Sequence, residues 1–348
     1  MTFDWIDKDI ETKLNENLRL QSIDAQRKAD IYSTMLTDLK RCSCHEIHKI
    51  DRETFFENLL EFNESYFNKT YELFFNLITF LSNNISEYEL DFDILKPEKK
   101  NPVQSIKLCK NFYKKNDKES LAYFKRIISI PNIIQISDNP CNHFLGRTYI
   151  INNNEFYMLI NGRDYLEDSL ATIHESKHVE MAVRGYNTGI SLYNELPAIL
   201  YELYMIDFLS SVDGNKYAVS RLRMMNLNKY LLDIKKLANT IELIKELKNP
   251  DFNLYQDIYE NYDLYYDDYD FSYVNSILVN GVTEEEIGKL ISFIVAIDIY
   301  LNSRINNAHK VVSLYTYGLY KMKPSIINGV LEYINSMVRP YEKPKVKK

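Results

Sequence analysis

Along most of this chain apolar residues return every three to four positions, the spacing of one face of an α-helix. Residues 55–83 (FFENLLEFNESYFNKTYELFFNLITFLSN) are the clearest case: Leu59, Phe62, Tyr66, Leu73 and Leu77 form much of a stripe, which predicts one extended helix. Residues 220–248 continue the pattern. The segment 282–307 (VTEEEIGKLISFIVAIDIYLNSRINN) predicts a buried helix with acids in its first turn, where the helix dipole favours negative charge. With nine Gly and nine Pro in 348 residues, breaks are few, and PEKKNP at 97–102 is the clearest. No internal repeat is evident.

One segment departs from the helical period. Residues 147–164 (RTYIINNNEFYMLINGRD) alternate, are rich in Tyr, Ile and Phe, and turn at NNNE, which predicts a β-hairpin. Helical spacing resumes at once. Asp164 is placed to cap a helix and Glu167, three residues on, to complete a capping box, with Leu166, Leu170 and Ile173 recurring behind them. Gly185 is a natural stop. After the loop GYNTGISLY a second helix begins at NELPAILYELYMIDFL, with Pro197 tolerated in its first turn and Leu196, Ile199, Leu200 and Leu203 as its apolar stripe. The expected class is therefore mainly α, with a small hairpin or sheet beside one helix. The expected organisation is a helical N-terminal lobe (1–130), a second lobe (131–340) and a disordered tail (341–348).

Composition narrows the field. A chain with 45% hydrophobic residues can bury a sizeable core. Its net charge of −7, with KPKVKK at the end as the one basic run, argues against a general nucleic-acid binder. The most apolar stretch, ISFIVAIDIYL, is interrupted by Asp298 and falls short of the roughly twenty residues that span a bilayer. The first residues, MTFDWIDKDIETK, carry no apolar signal core. Four cysteines in a chain of this size are no disulfide framework. A cytoplasmic protein without a membrane partner is the expectation; the oligomeric state is not written in the sequence.

Residues 174–178 read HESKH. On a helix, two histidines four apart share a face about one turn from each other, so both imidazoles can reach one ion, and Glu175 beside the first can contact a water held there. Two neutral nitrogens, an open position and a carboxylate base are what a zinc hydrolase needs. Glu195 follows His178 by 17 residues, enough for one helix to end and the next to bring a carboxylate back as third ligand. Glu202, two turns further along the same face, can accept a hydrogen bond from a ligand histidine and fix its tautomer. The hairpin offers free backbone groups to an extended chain, which makes peptide the favoured substrate class.

FYMLINGRDYLEDSLATIHESKH, then NELPAILYE, then HKVVSLYTYGLY together resemble the catalytic core of the thimet oligopeptidase and oligoendopeptidase F family of zinc peptidases. That resemblance spans roughly residues 148–322. It implies a large helical metallopeptidase fold, zinc held by His174, His178 and Glu195, Glu175 as general base, and Glu202 as the second glutamate of the family motif. His309, Tyr315 and Tyr317 then match the segment that binds substrate and stabilises the oxyanion, with Tyr320 as a further substrate contact. Where the family usually has Gly, this chain has Lys177, whose side chain is expected either to reach solvent or to project into the cleft.

Other readings compete. The same zinc site could trim peptides from one end, as in related metallocarboxypeptidases, or a degenerate descendant could bind peptide with Lys177 filling the cleft. The CSCHEIH cluster (Cys42, Cys44, His45, His48) is too compressed to surround one tetrahedral ion without distorting a helix. Cys141 and His143 read as structural. The Tyr- and Asp-rich segment 255–273 reads foremost as tyrosine rings packed into the fold, with a substrate-binding rim as the alternative.

Overall fold

The computed structural model of the protein describes residues 4–20, 22–40, 50–62, 69–88, 99–130, 134–136, 145–152, 155–185, 195–212, 214, 216–249, 254–265, 270–302 and 324–341. These are mainly helical. The helices are α1 (Asp4–Leu18), α2 (Ile23–Lys40), α3 (Arg52–Glu61), α4 (Lys69–Asn84), α5 (Pro102–Asn116), α6 (Lys118–Ser129), α7 (Tyr165–Val183), α8 (Glu195–Val212), α9 (Lys216–Leu247), α10 (Leu254–Glu260), α11 (Tyr262–Tyr265), α12 (Phe271–Asn280), α13 (Glu284–Asn302) and α14 (Pro324–Val338). Three strands, β1 (Ile134–Ile136), β2 (Gly146–Asn152) and β3 (Glu155–Ile160), form one sheet in the order β1-β3-β2. No described helix is long and apolar enough to cross a membrane.

The chain divides into two compact units, each discontinuous in sequence: Met1–Cys44 with Phe92–Leu222 and Ile299–Tyr320, and His45–Asp91 with Arg223–Asp298 and Lys321–Lys348. Helices from both sides of residue 130 therefore belong to the first unit. Its centre is α7. The predicted hairpin forms as antiparallel β2 and β3, with an extra residue at Ile151, since Ile150 faces Phe156 while Asn152 faces Glu155. β1 pairs parallel with the outer side of β3, a strand that the alternation did not reveal.

Side-chain alternation gives this sheet two buried faces. Phe156, Met158 and Ile160 pack with Ala171 and Val179 of α7 and with Ile127 of α6. Tyr149, Ile151, Tyr157 and Leu159 point the other way and pack with Ile10 of α1 and Tyr32, Met35 and Leu36 of α2. Polar contacts fix that second face. Asp38 accepts from Arg147 Nη1 and Tyr149 Oη, both at 2.5 Å, and Arg27 donates to the Ile151 carbonyl at 2.7 Å, satisfying the bulge. Glu155 accepts from Tyr32 Oη at 2.8 Å and Lys13 Nζ at 3.1 Å.

α7 is buried on nearly every side, so it carries little amphipathic pattern. Its start is built as predicted, with one shift. Asp164 caps the backbone N–H groups of Leu166 and Glu167, each at 2.9 Å, while Glu167 reaches back to the N–H of Arg163 at 2.8 Å, one residue earlier than a standard capping box. Arg221 of α9, itself buried, donates to Asp164. Leu166, Leu170 and Ile173 sit in the core with Phe112 and Tyr113 of α5 and Tyr201 and Met205 of α8. Each such side chain contributes about 1.5–3 kcal/mol of burial.

In the second unit the single helix predicted for 55–83 is two. α3 ends at Glu61; Phe62 turns extended (φ −60°, ψ 118°), its carbonyl accepts from Lys248 Nζ and its ring enters the core. The described part of the tyrosine-rich segment packs as its foremost reading expected: Tyr255, Tyr259 and Tyr262 ring Phe56, with centroids 4.8–6.3 Å away. α13 begins with a complete capping box, Thr283 N–H to Glu286 at 3.0 Å and Glu286 N–H to Thr283 Oγ1 at 3.1 Å. Asn101 and Pro102, at the break read from PEKKNP, cap and open α5.

Asp168, fully buried on α7, has no well-made side-chain hydrogen bond to its carboxylate among the described residues; the Gly162 backbone N–H lies near it, and Lys100 Nζ stands 3.9 Å away. Burial raises its pKa from 3.8 to about 7, with Lys100 only partly offsetting that cost. The folded chain therefore holds this proton more tightly than the unfolded chain. Stability from Asp168 is full below about pH 4 and falls as pH rises towards 7, by up to about 1.4 kcal/mol per unit. Asp168→Asn is expected to be more stable than the parent at pH 8, with the advantage shrinking towards pH 4. Urea denaturation at pH 4, 6 and 8 measures this; a constant difference across the series would contradict it.

Candidate metal centre

The HESKH turn lies in the C-terminal half of α7, and α8 starts directly on Glu195. Because α7 and α8 pack side by side, residues 17 apart in sequence meet. His174 Nε2 and His178 Nε2 are 3.1 Å apart; Glu195 Oε2 is 3.3 Å from the first and Glu195 Oε1 is 3.4 Å from the second. Bonds of about 2.0–2.1 Å at tetrahedral angles place donor atoms roughly 3.3 Å apart, close to each of these separations, with the two histidines meeting different oxygens of Glu195. His174, His178 and Glu195 form the one group of metal-ligating type found among the described residues. All three side chains keep some exposure, 14%, 18% and 28%.

Glu202 sits one layer behind. Its Oε1 is 2.9 Å from His174 Nδ1, close enough to fix the ring electrostatically although the pair lacks the alignment of a well-made hydrogen bond. With Nδ1 turned to a carboxylate, the lone pair of Nε2 faces the pocket. Burial disfavours a charged imidazole here, yet Glu202 and then Glu195 outweigh it and push the pKa of His174 up to about 10. The field of two carboxylates thus favours positive charge at this point. Protons and a dication compete for the same field and the same nitrogen.

Glu175 points from α7 towards strand β2. It is 5% exposed, and its Oε2 accepts from Thr148 Oγ1 at 2.7 Å. Gly146 lies against it: a Cβ there would come within 2.7 Å of both Cγ and Oε1 of Glu175. Reading the sequence did not single out Thr148 or Gly146. The signal was present in the alternation, which puts 146 and 148 on the same face of the hairpin as Phe156, Met158 and Ile160, the face that meets α7.

Lys177 takes neither expected course. Its side chain is 1% exposed, turned away from the histidines into a buried network: Ser120 Oγ at 2.7 Å, Glu180 Oε2 at 2.8 Å, Asp117 Oδ2 at 3.8 Å, and the Tyr201 ring centroid at 3.5 Å. Lys177 lies about 100° round the helix from His178, on the side that meets α6 and the turn before it. Burial lowers the Lys177 pKa, against the pull of Glu180 and Asp117. Glu180 is also bound by Ser120 Oγ at 2.9 Å and Arg184 at 2.7 Å. His309, Tyr315, Tyr317 and Tyr320 lie outside the described residues, as do Cys42, Cys44, His45, His48, Cys141 and His143.

No family model, curated protein or solved structure matches this chain.

Removing one partner of a buried charge network leaves the others uncompensated, at a typical loss of about 3–5 kcal/mol. Lys177→Met is expected to destabilise the chain by that amount, because Asp117 loses its cation and Glu180 keeps only Arg184. Chemical denaturation reads it directly, and a loss below about 1 kcal/mol would be inconsistent with a desolvated network.

Proposed function

We propose that this chain is a zinc-dependent endopeptidase that hydrolyses peptide bonds in oligopeptides or in a dedicated peptide substrate, with Glu175 as general base. The observation that carries this reading is the convergence of His174 Nε2, His178 Nε2 and a Glu195 carboxylate at 3.1–3.4 Å; Glu175, the residue after the first histidine, has its carboxylate held by a separate strand. The resemblance to the thimet oligopeptidase and oligoendopeptidase F family and its helical metallopeptidase fold belong to the same proposal.

His174, His178 and Glu195 would hold the ion, and Glu202 keeps the Nε2 of His174 turned towards it. When bound, zinc supplies Lewis acidity towards a carbonyl and makes water acidic at neutral pH. Glu175 takes a proton from the attacking water and returns it to the departing amine, with no second acid required. The hydrolytic assignment rests on this pairing, since a metal site without a carboxylate base beside it could be purely structural.

Peptide as substrate is supported by the edge of the sheet. Asn161 N–H donates to the Leu145 carbonyl at 2.7 Å, so this pair is hydrogen-bonded in the antiparallel ladder. By alternation, the backbone groups of Gly146, Thr148 and Ile150 then point away from β3, beside Glu175. An extended chain could add there as a further strand. Degenerate peptide binding had rested on Lys177 filling the cleft, and that side chain is engaged elsewhere. Trimming from one end keeps the same site; product masses from a single synthetic peptide distinguish it.

Two outcomes test the assignment. Zinc added to metal-free protein at about 100 times its Kd is expected to stabilise it by about 2.7 kcal/mol, in the parent and in Glu175→Gln alike, and to do much less in Glu195→Ala. Glu175→Gln is expected to lose at least about two orders of magnitude in peptide cleavage while keeping stoichiometric metal. Elemental analysis with a mixed peptide library provides both readouts. Undiminished cleavage by Glu175→Gln would remove the base assignment.

A further inference from the structure

We infer that Thr148 is a positioning residue for Glu175, and that Gly146 is the gap that lets the glutamate lie where Thr148 holds it. This deepens the peptidase reading and rests on it for the role of Glu175. A glutamate has three side-chain torsions, and one placed beside an ion pocket needs an external restraint to present the same oxygen to a water each time. Among the described residues, Thr148 is the only side chain that donates a hydrogen bond to this carboxylate. The bond runs to Oε2. The same hydroxyl lies 3.3 Å from the Glu175 carbonyl, so it reads the helix backbone and the side chain together.

Gly146 supplies the complementary half. Glycine weakens a strand, and one inside a strand often marks a place where another group approaches closely. Here that group is Glu175: Cγ and Oε1 at 2.7 Å and Cδ at 3.1 Å from where a Cβ would stand. The φ of Gly146 is not in the left-handed region, so the absent side chain, and not the backbone, is what the position requires. Residues 146 and 148 share one face of β2, and the glutamate lies along both.

The strand is itself held from its other face. Arg147 and Tyr149, which alternate with Gly146 and Thr148, both bind Asp38, and Arg27 holds the Ile151 carbonyl. A one-residue slip of β2 would exchange the two faces and remove hydroxyl and gap together. Fixing Asp38 against Arg147 and Tyr149 therefore fixes where Thr148 stands.

Thr148→Val keeps the shape and removes the donor; Thr148→Ser keeps the donor. In the zinc-loaded protein, Thr148→Val is expected to lower kcat about 10- to 100-fold with KM within about twofold, and Thr148→Ser to recover most of it. Zinc content should not change in either. A purely structural role would lower the folded fraction and spare kcat per folded molecule. A second measurement does not depend on activity: a double-mutant cycle on unfolding stability between Thr148→Val and Glu175→Met. The two changes are expected to be non-additive, Thr148→Val costing much less once the carboxylate is gone. Additive effects, or a kcat for Thr148→Val within about twofold of the parent, would overturn the proposal. If the parent cleaves no peptide yet the cycle shows coupling, the peptidase reading fails and the positioning of Glu175 stands.

Discussion

A helix buried on every side has to settle its polar side chains against its neighbours, because an unpaired charge inside a protein costs more than almost any contact returns. α7 is such a helix, and it carries Glu167, Asp168, Glu175, Lys177 and Glu180 among its buried residues. All of these but Asp168, which holds its proton instead, therefore dictate something about an adjacent element. At the start, Glu167 turns back to Arg163 while Arg221 of α9 neutralises the Asp164 cap. On the side of α5 and α6, Lys177 and Glu180 draw in Ser120 and Asp117. Towards the sheet, Glu175 meets Thr148. The rotation of α7 about its axis is fixed by several polar pairings at once, and the two histidines inherit that rotation.

That inheritance sets the geometry of the histidine pair. His174 and His178 are mostly buried but keep some exposure, and their ring nitrogens stand 3.1 Å apart. Two imidazoles at that separation, with carboxylates on either side, form a region where positive charge is favoured and an apolar occupant is not. The rise in the His174 pKa expresses that field in the language of protons. A divalent ion would meet the same field with twice the charge and with three side chains of metal-ligating type already gathered around it.

What could be read from the chain beforehand follows the range of the interactions involved. Asp164, the hairpin at 146–160 and the start of α8 at Glu195 were legible because caps, alternation and turn residues are local codes. The convergence of His174, His178 and Glu195 was legible because helix periodicity and one short connection suffice to bring them together. The end of α3 was not: Phe62 turns extended where its carbonyl meets Lys248, 186 residues away, and no local pattern announces that contact. The destination of Lys177 was hidden for the same reason: Ser120 and Asp117 lie on elements whose approach no local pattern announces. β1 is a parallel partner of three residues, too short for a periodic signal.

Strand β2 shows how such distant contacts acquire chemical consequence. Its odd-numbered side chains from Arg147 to Ile151 face α1 and α2, and its even-numbered positions Gly146 and Thr148 face Glu175. Neither face can be changed without the other registering it, because alternation makes the two sets one rigid comb. A helical hairpin whose sequence carries no chemistry of its own thus acts on the candidate base through three rigid steps: Asp38 to Arg147 and Tyr149, strand to Thr148, hydroxyl to carboxylate. Positional precision in this fold comes from a β-strand held on both faces, while charge selection comes from the pair of helices α7 and α8. The two are joined where Glu175 leaves one and touches the other.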